Sequence, residues 1–190
     1  IGYEGLTRGP SNSSLYSPLN LFDVAQRQGY LVELDILCRE TVFRQFKQLD
    51  LPGKLFVNIT PSSLLQADFR PGKTRQLLDQ YGLSAEQIVI ELTEHYPLGD
   101  YRIIQEAMSH YRSMGFQVAL DDLGAGYCGL KSWLELRPDY VKLDQHFINQ
   151  IHTDPVKLDF VKSITEMANQ LKSQVIAEGI ECVEEFVALQ

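Results

Sequence analysis

Polar residues follow the short apolar runs of this sequence, at the point where each run ends. In chain order they are Glu4, Asn58, Glu91, Asp121, Asp122, Lys142, Asp144 and Glu178. Carboxylate and amide oxygens are the ligands that Mg²⁺ and Mn²⁺ prefer, whereas Zn²⁺ prefers His and Cys. These residue types therefore predict a hard divalent metal centre, provided that the fold brings the ends of the runs together.

The apolar runs have the length and composition of β-strands, and helical patterns separate them. We expect strands over 1–6, 55–60, 88–92, 117–122, 140–144 and 174–177. Alternating strands and helices predict an α/β fold with parallel strands. In a parallel α/β barrel the carboxyl ends of all strands open on one face, which holds the active site. Six strand–helix units are visible, and an eight-stranded barrel would need two more.

Three segments show helical signals, and one reads as a loop. Apolar residues three or four apart mark one helical face at Leu31, Leu34, Cys38, Val42, Phe46 and Leu49. Asp154-Pro155 predicts an N-cap followed by proline at the first helical position, ahead of a second such face. A third helix is expected over 100–115, and the composition of 9–18 predicts a loop.

Each candidate residue also has a structural interpretation. A carboxylate after a strand often caps a helix or faces water. However, two carboxylates about 4 Å apart repel by about 4 kcal/mol at an effective dielectric constant of about 20, so a gathered set requires a cation. Asp121-Asp122 suits a two-ion site, or a plain Gly-rich turn. Lys142 suits a reaction centre, or an ion pair with Asp122 or Asp144. Arg8 suits a phosphate contact, or a surface salt bridge.

Composition excludes several classes of protein. The 190 residues carry a net charge of −8, which disfavours general DNA or RNA binding. Three cysteines without paired spacing argue against a disulfide framework and favour the cytoplasm. No apolar run is long enough to span a membrane. The histidines show no metal-ligand spacing and are interpreted as surface or packing residues; they are His95, His110, His146 and His152. The chain opens inside a strand pattern and stops inside a helical one, which suggests an excerpt.

Taken in order, these segments resemble the EAL-domain family of cyclic di-GMP phosphodiesterases. The matching segments are EGL at 4–6, VNIT at 57–60, ELTE at 91–94, DDLGAGYCGL at 121–130, KLD at 142–144 and AEGIE at 177–181. The resemblance covers essentially all 190 residues, as one domain. It departs from the family at Gly5, Leu123 and Ala125, where the family usually has Ala, Phe and Thr. A first strand and a last strand with its helix, including a Gln that can reach the substrate, are expected outside this segment.

The resemblance implies a fold, a reaction and residue roles. The fold would be a modified TIM barrel with one antiparallel strand, and the reaction a metal-dependent hydrolysis of cyclic di-GMP to linear pGpG. Two Mg²⁺ or Mn²⁺ ions would be bound by Glu4, Asn58, Glu91, Asp121 and Asp122. Lys142 would lie beside the attacking water, and Glu178 would be the general base. The substrate would contact Leu6, Arg8, Asp144 and Glu181. Glu94 would belong to a loop that couples to dimerisation.

Further expectations concern partners and alternatives. Ca²⁺ should compete for the site yet support little turnover, because it adopts looser coordination than Mg²⁺. A homodimer and fused sensor or GGDEF-type domains are expected by family analogy, and membrane tethering of a longer protein is left open. The main alternative is an inactive cyclic di-GMP receptor or scaffold. A glycosidase would use two carboxylates, but it accounts poorly for Asn58 and Lys142.

Overall fold

A computed structural model describes residues 2–64, 71–93, 101–124 and 129–190. The chain divides into two compact units. The first comprises Ile1–Glu91 and Arg102–Gln117, and the second comprises Leu92–Tyr101 and Val118–Gln190. Each unit is described by itself below, and the expected single domain over residues 1–190 stays a prediction.

The first unit combines three strands with five helices among its described residues. Strands β1, β2 and β3 are Gly2–Gly5, Lys54–Asn58 and Ile88–Thr93, the last two residues of β3 belonging to the second unit. Helices α1 to α5 are Pro18–Gln28, Leu31–Leu49, Pro61–Leu64, Pro71–Tyr81 and Tyr101–Ser113, and a 3-10 turn spans Ala85–Gln87. β1 pairs with β2, and β2 pairs with β3, in parallel. Both β2 and β3 are buried and apolar, as expected for parallel strands covered on both faces.

A buried ion pair joins the helices of the first unit. Asp35 and Arg39 lie one turn apart on α2, each 1% exposed, and Nη2 of Arg39 is 2.9 Å from Oδ2 of Asp35. The Arg39 guanidinium also donates to the hydroxyls of Thr74 on α4 and Tyr111 on α5. Desolvation raises the pKa of the Asp35 carboxyl, although the charge of Arg39 opposes that rise. The pair thus ties three helices together through directional contacts.

The second unit repeats the alternation of strands and helices. Strands β4, β5 and β6 are Gln117–Leu123, Tyr140–Leu143 and Gln174–Ala177, the first residue of β4 belonging to the first unit. Helices α6 to α9 are Gly129–Leu136, Gln145–Ile148, Pro155–Leu171 and Val183–Ala188, and a 3-10 turn spans Ile151–Thr153. β4 pairs with β5, and β5 pairs with β6, again in parallel. As expected, Asp154 caps α8, accepting hydrogen bonds from Val156 and Lys157, with Pro155 in the first turn.

The core of the second unit is built around Trp133. This indole is 1% exposed on α6, and its Nε1 donates to Oγ of Ser173 over 3.1 Å. Ser173 in turn donates to the carbonyl of Pro138 over 2.7 Å, so the buried polar atoms are satisfied. Apolar residues of β4, β5, α7, the 3-10 turn and α8 complete the cluster; they include Leu120, Val141, Leu143, Ile148, Ile151 and Ile164.

The sequence predictions for the elements are largely confirmed. The α/β class is confirmed, and each expected strand is found with ends within two residues of those predicted. Every strand pair described within the two units is parallel. The expected antiparallel strand is not among them, and the closed barrel stays a prediction. Among the residues described, no helix combines the length and apolar character needed to cross a membrane.

Candidate active site

Three strand-end residues of the first unit lie together. Asn58 ends β2, and its register places it beside Glu91 on β3. Nδ2 of Asn58 donates to Oε1 of Glu4 over 3.0 Å and to Oε2 of Glu91 over 3.3 Å. Oxygens of the two carboxylates lie within 4.8 Å of each other, although Glu91 is fully buried and Glu4 is exposed. Parallel pairing of β1, β2 and β3 therefore brings these three predicted residues into one cluster.

Gly5, next to Glu4, allows a close approach between β1 and α2. A Cβ at position 5 would lie 2.4 Å from Cγ1 and 2.9 Å from Cγ2 of Val42. Valine is branched at Cβ and stiff about χ1, so it cannot move aside cheaply. Gly5, where the EAL segment usually has Ala, therefore fits against Val42, which leaves no room for the Ala methyl group.

A bulge at the end of β4 turns two adjacent carboxylates toward one side. Leu120 pairs with Val141 and Leu123 pairs with Leu143, so Asp121 and Asp122 together oppose Lys142. Asp122 has a left-handed φ of 55°, which few non-glycine residues adopt. In an ideal strand these neighbours would point to opposite faces. Instead, oxygens of Asp121, Asp122 and Glu178 all lie within 4.8 Å of one another.

Lys142 bridges this cluster. Its Nζ lies 2.9 Å from Oδ1 of Asp121 and 2.8 Å from Oε1 of Glu178. The lysine is 4% exposed, a position at which an ammonium is costly unless it is paired. The sequence suggested an ion pair with Asp122 or Asp144 as the structural alternative, whereas the ion pairs described here join Lys142 to Asp121 and Glu178.

A tight turn fixes the position of Glu178 after β6. The Glu178 amide donates to the carbonyl of Leu143 over 3.2 Å. Gly179 follows with a φ of 69°, and a Cβ there would lie 2.5 Å from Cβ of Gln145. Glycine satisfies both requirements at once. The carboxylate of Glu178 is thus held near Lys142 while its side chain stays 27% exposed.

The donor chemistry of both clusters fits hard divalent ions. Each offers oxygen donors alone, from carboxylates and, in the first unit, the Asn58 amide. Carboxylates 4.8 Å apart repel by about 3–4 kcal/mol at an effective dielectric constant of about 20. Lys142 and the Asn58 amide reduce this repulsion, and a divalent cation would reduce it further. The residues present therefore fit Mg²⁺ or Mn²⁺.

The residues expected to contact the substrate are described by their exposure and their local hydrogen bonds. Leu6 is 59% exposed, and Arg8 is exposed with Nη1 donating to the carbonyl of Thr7 over 2.8 Å. Asp144 caps α7 by accepting from His146 over 2.7 Å, so its carboxylate has the structural role that strand-end residues often have. Glu181 is exposed. Glu94 lies outside the described residues, and its proposed loop role is untested.

Sequence reasoning missed Glu185. This carboxylate is 3% exposed and accepts from the backbone amides of Gln150, Glu181 and Cys182, over 2.7, 2.9 and 3.3 Å. It therefore anchors the loop that carries Glu178 and Glu181. The sequence gives little signal for this role, because a capping box is usually marked by Ser or Thr three positions before Glu, and residue 182 is Cys.

The fold and these clusters define an α/β protein whose strand ends carry carboxylate and amide oxygens of the kind that suit divalent cations. The EAL domain model matches residues 1–190. The chain belongs to the EAL domain family. The cyclic di-GMP phosphodiesterase PdeF of Escherichia coli is 31% identical over 173 residues, which cover 90% of this chain and 23% of PdeF. The chain thus spans about a quarter of the length of that curated relative.

Three solved structures align closely with the chain. A calcium/cy-diGMP complex of Klebsiella pneumoniae BlrP1 aligns with a TM-score of 0.86 at 30% identity, covering 98% of this chain and 47% of that one. A manganese/cy-diGMP complex of BlrP1 gives a TM-score of 0.83 at the same identity and coverage. A c-di-GMP-bound standalone EAL protein from Vibrio cholerae gives 0.85 at 31%, covering 99% of this chain and 78% of that one.

Proposed function

We propose that this chain hydrolyses one phosphodiester bond of cyclic di-GMP to give linear pGpG, in a reaction that requires Mg²⁺ or Mn²⁺. The observation that carries the proposal is the buried lysine shared by Asp121 and Glu178, with Asp122 in the same cluster. The family membership and the cyclic di-GMP complexes of related structures support the choice of substrate.

The proposed metal ligands are strand-end residues of the clusters described above. Glu4, Asn58, Glu91, Asp121 and Asp122 are the residues that would hold the ions, Asn58 through Oδ1. Bound divalent ions polarise phosphate oxygens, lower the pKa of coordinated water and stabilise the leaving oxygen. They would also offset the charge of −8, against which an anionic substrate must otherwise approach.

Glu178 is the proposed general base. Its carboxylate is partly exposed, so water can reach it, and the contact with Lys142 sets its orientation. It takes one proton from the attacking water, while the leaving oxygen of the ribose gains one. Lys142 holds Asp121 and Glu178 at fixed distances and carries positive charge beside the attacked phosphate. Arg8 would contact a substrate phosphate, and Leu6, Asp144 and Glu181 would line its site.

The direct test incubates the protein with cyclic di-GMP and Mg²⁺ or Mn²⁺, with and without EDTA, and resolves the nucleotides by chromatography. We expect pGpG in the presence of metal and none after chelation. Binding of cyclic di-GMP without any product would instead assign the chain to the receptor class. Product formation that is unaffected by EDTA would contradict the metal-dependent mechanism.

The role of Glu178 is tested by Glu178→Gln, which keeps the shape of the side chain and removes the base. Because a general base contributes about 10²- to 10⁴-fold, kcat should fall by that factor. Binding of cyclic di-GMP, measured by calorimetry, should persist. A variant with wild-type kcat would remove Glu178 from this role. Glu166→Gln is the matched control, since it alters an exposed carboxylate on α8 that has no proposed role in catalysis or binding.

The choice of ion and the wider context are part of the proposal. Ca²⁺ should compete with Mg²⁺ but support little turnover, since its coordination is larger and looser. Full turnover in Ca²⁺ alone would contradict this assignment. We also propose a cytoplasmic location, a homodimer and a longer protein with fused sensor or GGDEF-type domains. Sedimentation of the full-length protein tests the dimer.

A further inference from the structure

A second group of ligand atoms lies in the second unit, at the contact between the 3-10 turn Ile151–Thr153 and α9. A ring nitrogen of His152, Sγ of Cys182 and a carboxylate oxygen of Glu185 all lie within 4.8 Å of one another. Because His152 is distant in sequence from the other two residues, no short spacing in the chain reveals the group. Folding alone brings it together.

Hydrogen bonds organise this group without any ion. The Glu185 carboxylate accepts from Gln150, two residues before His152, and from Cys182 itself. One side chain therefore sets the position of both neighbouring ligand segments. The amide of Glu181 is the third donor to this carboxylate, over 2.9 Å. A carboxylate has about four lone-pair sites, so the three amide contacts leave capacity for a metal.

The charge around Cys182 favours a cation. The Glu184 and Glu185 carboxylates both act electrostatically on its thiol. The same carboxylates would attract a divalent ion, which displaces the thiol proton when it binds.

The donor set differs from those of the candidate active site. Imidazole nitrogen, thiolate sulfur and carboxylate oxygen are the ligands of Zn²⁺, and three protein ligands with water as the fourth form a common tetrahedral arrangement. Mg²⁺ and Ca²⁺ take oxygen ligands instead. Among the described residues, this is the one candidate group that includes nitrogen and sulfur donors.

We propose that His152, Cys182 and Glu185 form a binding site for Zn²⁺ or a similar borderline transition-metal ion, separate from the proposed Mg²⁺ or Mn²⁺ ligands. The bound ion joins the 3-10 turn to the start of α9. It thereby holds the loop between β6 and α9 at the end opposite Glu178. The site does not depend on the proposed phosphodiesterase activity.

The test uses Co²⁺ as a spectroscopic substitute for Zn²⁺ in the reduced, chelator-treated protein. Excess Mg²⁺ is included to occupy the oxygen-donor clusters. We expect a near-ultraviolet thiolate-to-cobalt charge-transfer band that is lost when one equivalent of Zn²⁺ is added. Cys182→Ser should abolish the band without unfolding the protein, because Ser is a favourable N-cap residue. His152→Ala should weaken Co²⁺ binding by at least about tenfold.

Matched controls distinguish this group from the other thiols and histidines. Cys38→Ser, Cys128→Ser and His110→Ala should leave the band and the affinity unchanged. A band that persists in Cys182→Ser, or that disappears in Cys38→Ser or Cys128→Ser, would overturn the assignment. Absence of any thiolate band at saturating Co²⁺ would overturn it as well.

Discussion

Two buried cations, Arg39 in the first unit and Lys142 in the second, pair with carboxylates in different ways. Arg39 contacts Asp35 and directs further donors to the neutral hydroxyls of Thr74 and Tyr111. Lys142 contacts two carboxylates, Asp121 and Glu178. Among the ion pairs that the structure describes, the first arrangement joins one cation to one anion, and the second joins one lysine to two carboxylates.

Solvent access separates the two regions further. The side chains of Asp35 and Arg39 are 2% and 1% exposed, whereas that of Glu178 is 27% exposed. A balanced, enclosed pair has directional contacts but no means of binding anything else. An unbalanced, partly open cluster costs stability in isolation and gains it when a cation binds. We infer that charge surplus together with access distinguishes the candidate site from a structural ion pair.

The largest expected effect is the loss of activity when Lys142 is replaced, because the same loss is not expected for Arg39. Lys142→Met leaves Asp121 and Glu178 without their shared cation, so the base loses its fixed orientation. We expect kcat for cyclic di-GMP to fall by about 10²-fold or more, within the range for general-base catalysis. Steady-state kinetics per mole of folded protein measures the change. Lys162→Met, at an exposed position on α8, is the control. If Lys142→Met keeps the wild-type kcat, Lys142 is a structural ion-pair partner in the same way as Arg39.

For the free energy of unfolding, replacing Arg39 should have a larger effect than replacing Lys142. Arg39→Met leaves Asp35 buried with its partner gone, which typically costs about 3–5 kcal/mol. Urea unfolding should report that loss, while kcat per folded molecule stays near the wild-type value. Asp35→Leu combined with Arg39→Met should recover most of the stability, because a buried pair can be replaced by apolar side chains. If the double variant is less stable than Arg39→Met, the unpaired Asp35 carboxylate is not the cause of the stability loss.

The pH dependence of the Arg39→Met cost sharpens the same comparison. Burial raises the pKa of Asp35 above its ordinary value of 3.8, and Arg39 partly opposes this. Removing Arg39 therefore raises the pKa further. A group whose pKa is higher in the folded than in the unfolded protein contributes its full stabilisation below the unfolded-state pKa. That contribution is lost as the pH rises through the folded-state pKa. We expect the stability difference between wild type and variant to shrink as the pH falls toward 3.8. Unfolding curves across that range test it, and a growing difference would contradict it.

The smallest expected effect concerns the helix that carries Arg39. Gly5→Ala forces a Cβ against Val42 of α2, and overpacking of this kind costs about 1–3 kcal/mol. Val42→Ala should relieve the clash, so the double variant should be more stable than the two single costs predict. A double-mutant cycle by urea unfolding measures this coupling. Additive costs would mean that the backbone absorbs the added methyl group.

The sequence predicted the strands well, because their apolar runs and polar ends are local features. It predicted the α2 face less well. Leu31, Val42 and Phe46 are buried as expected, but Leu49 is 66% exposed. Asp35 and Arg39 take part of the buried face instead. A charge that becomes buried by pairing with a neighbour looks like a surface residue in the sequence.

The candidate site shows the same limit. The residue types and their strand-end positions were readable, and Asp121-Asp122 was interpreted as suiting a two-ion site. The partners of Lys142 depended on a bulge and a left-handed Asp122, which local pattern does not specify. The Gly5–Val42 contact and the His152–Cys182–Glu185 group join distant segments. Such features follow from tertiary packing, which a single sequence does not encode in its spacing.

The burial of Trp133 gives the protein a built-in optical probe. The chain contains one tryptophan, and it lies in the core of the second unit. Selective excitation of the indole therefore reports the unfolding of that unit, whereas far-ultraviolet circular dichroism sums the helices of both. Stopped-flow traces recorded with the two signals will follow the refolding of the second unit separately from that of the whole chain, without any introduced label.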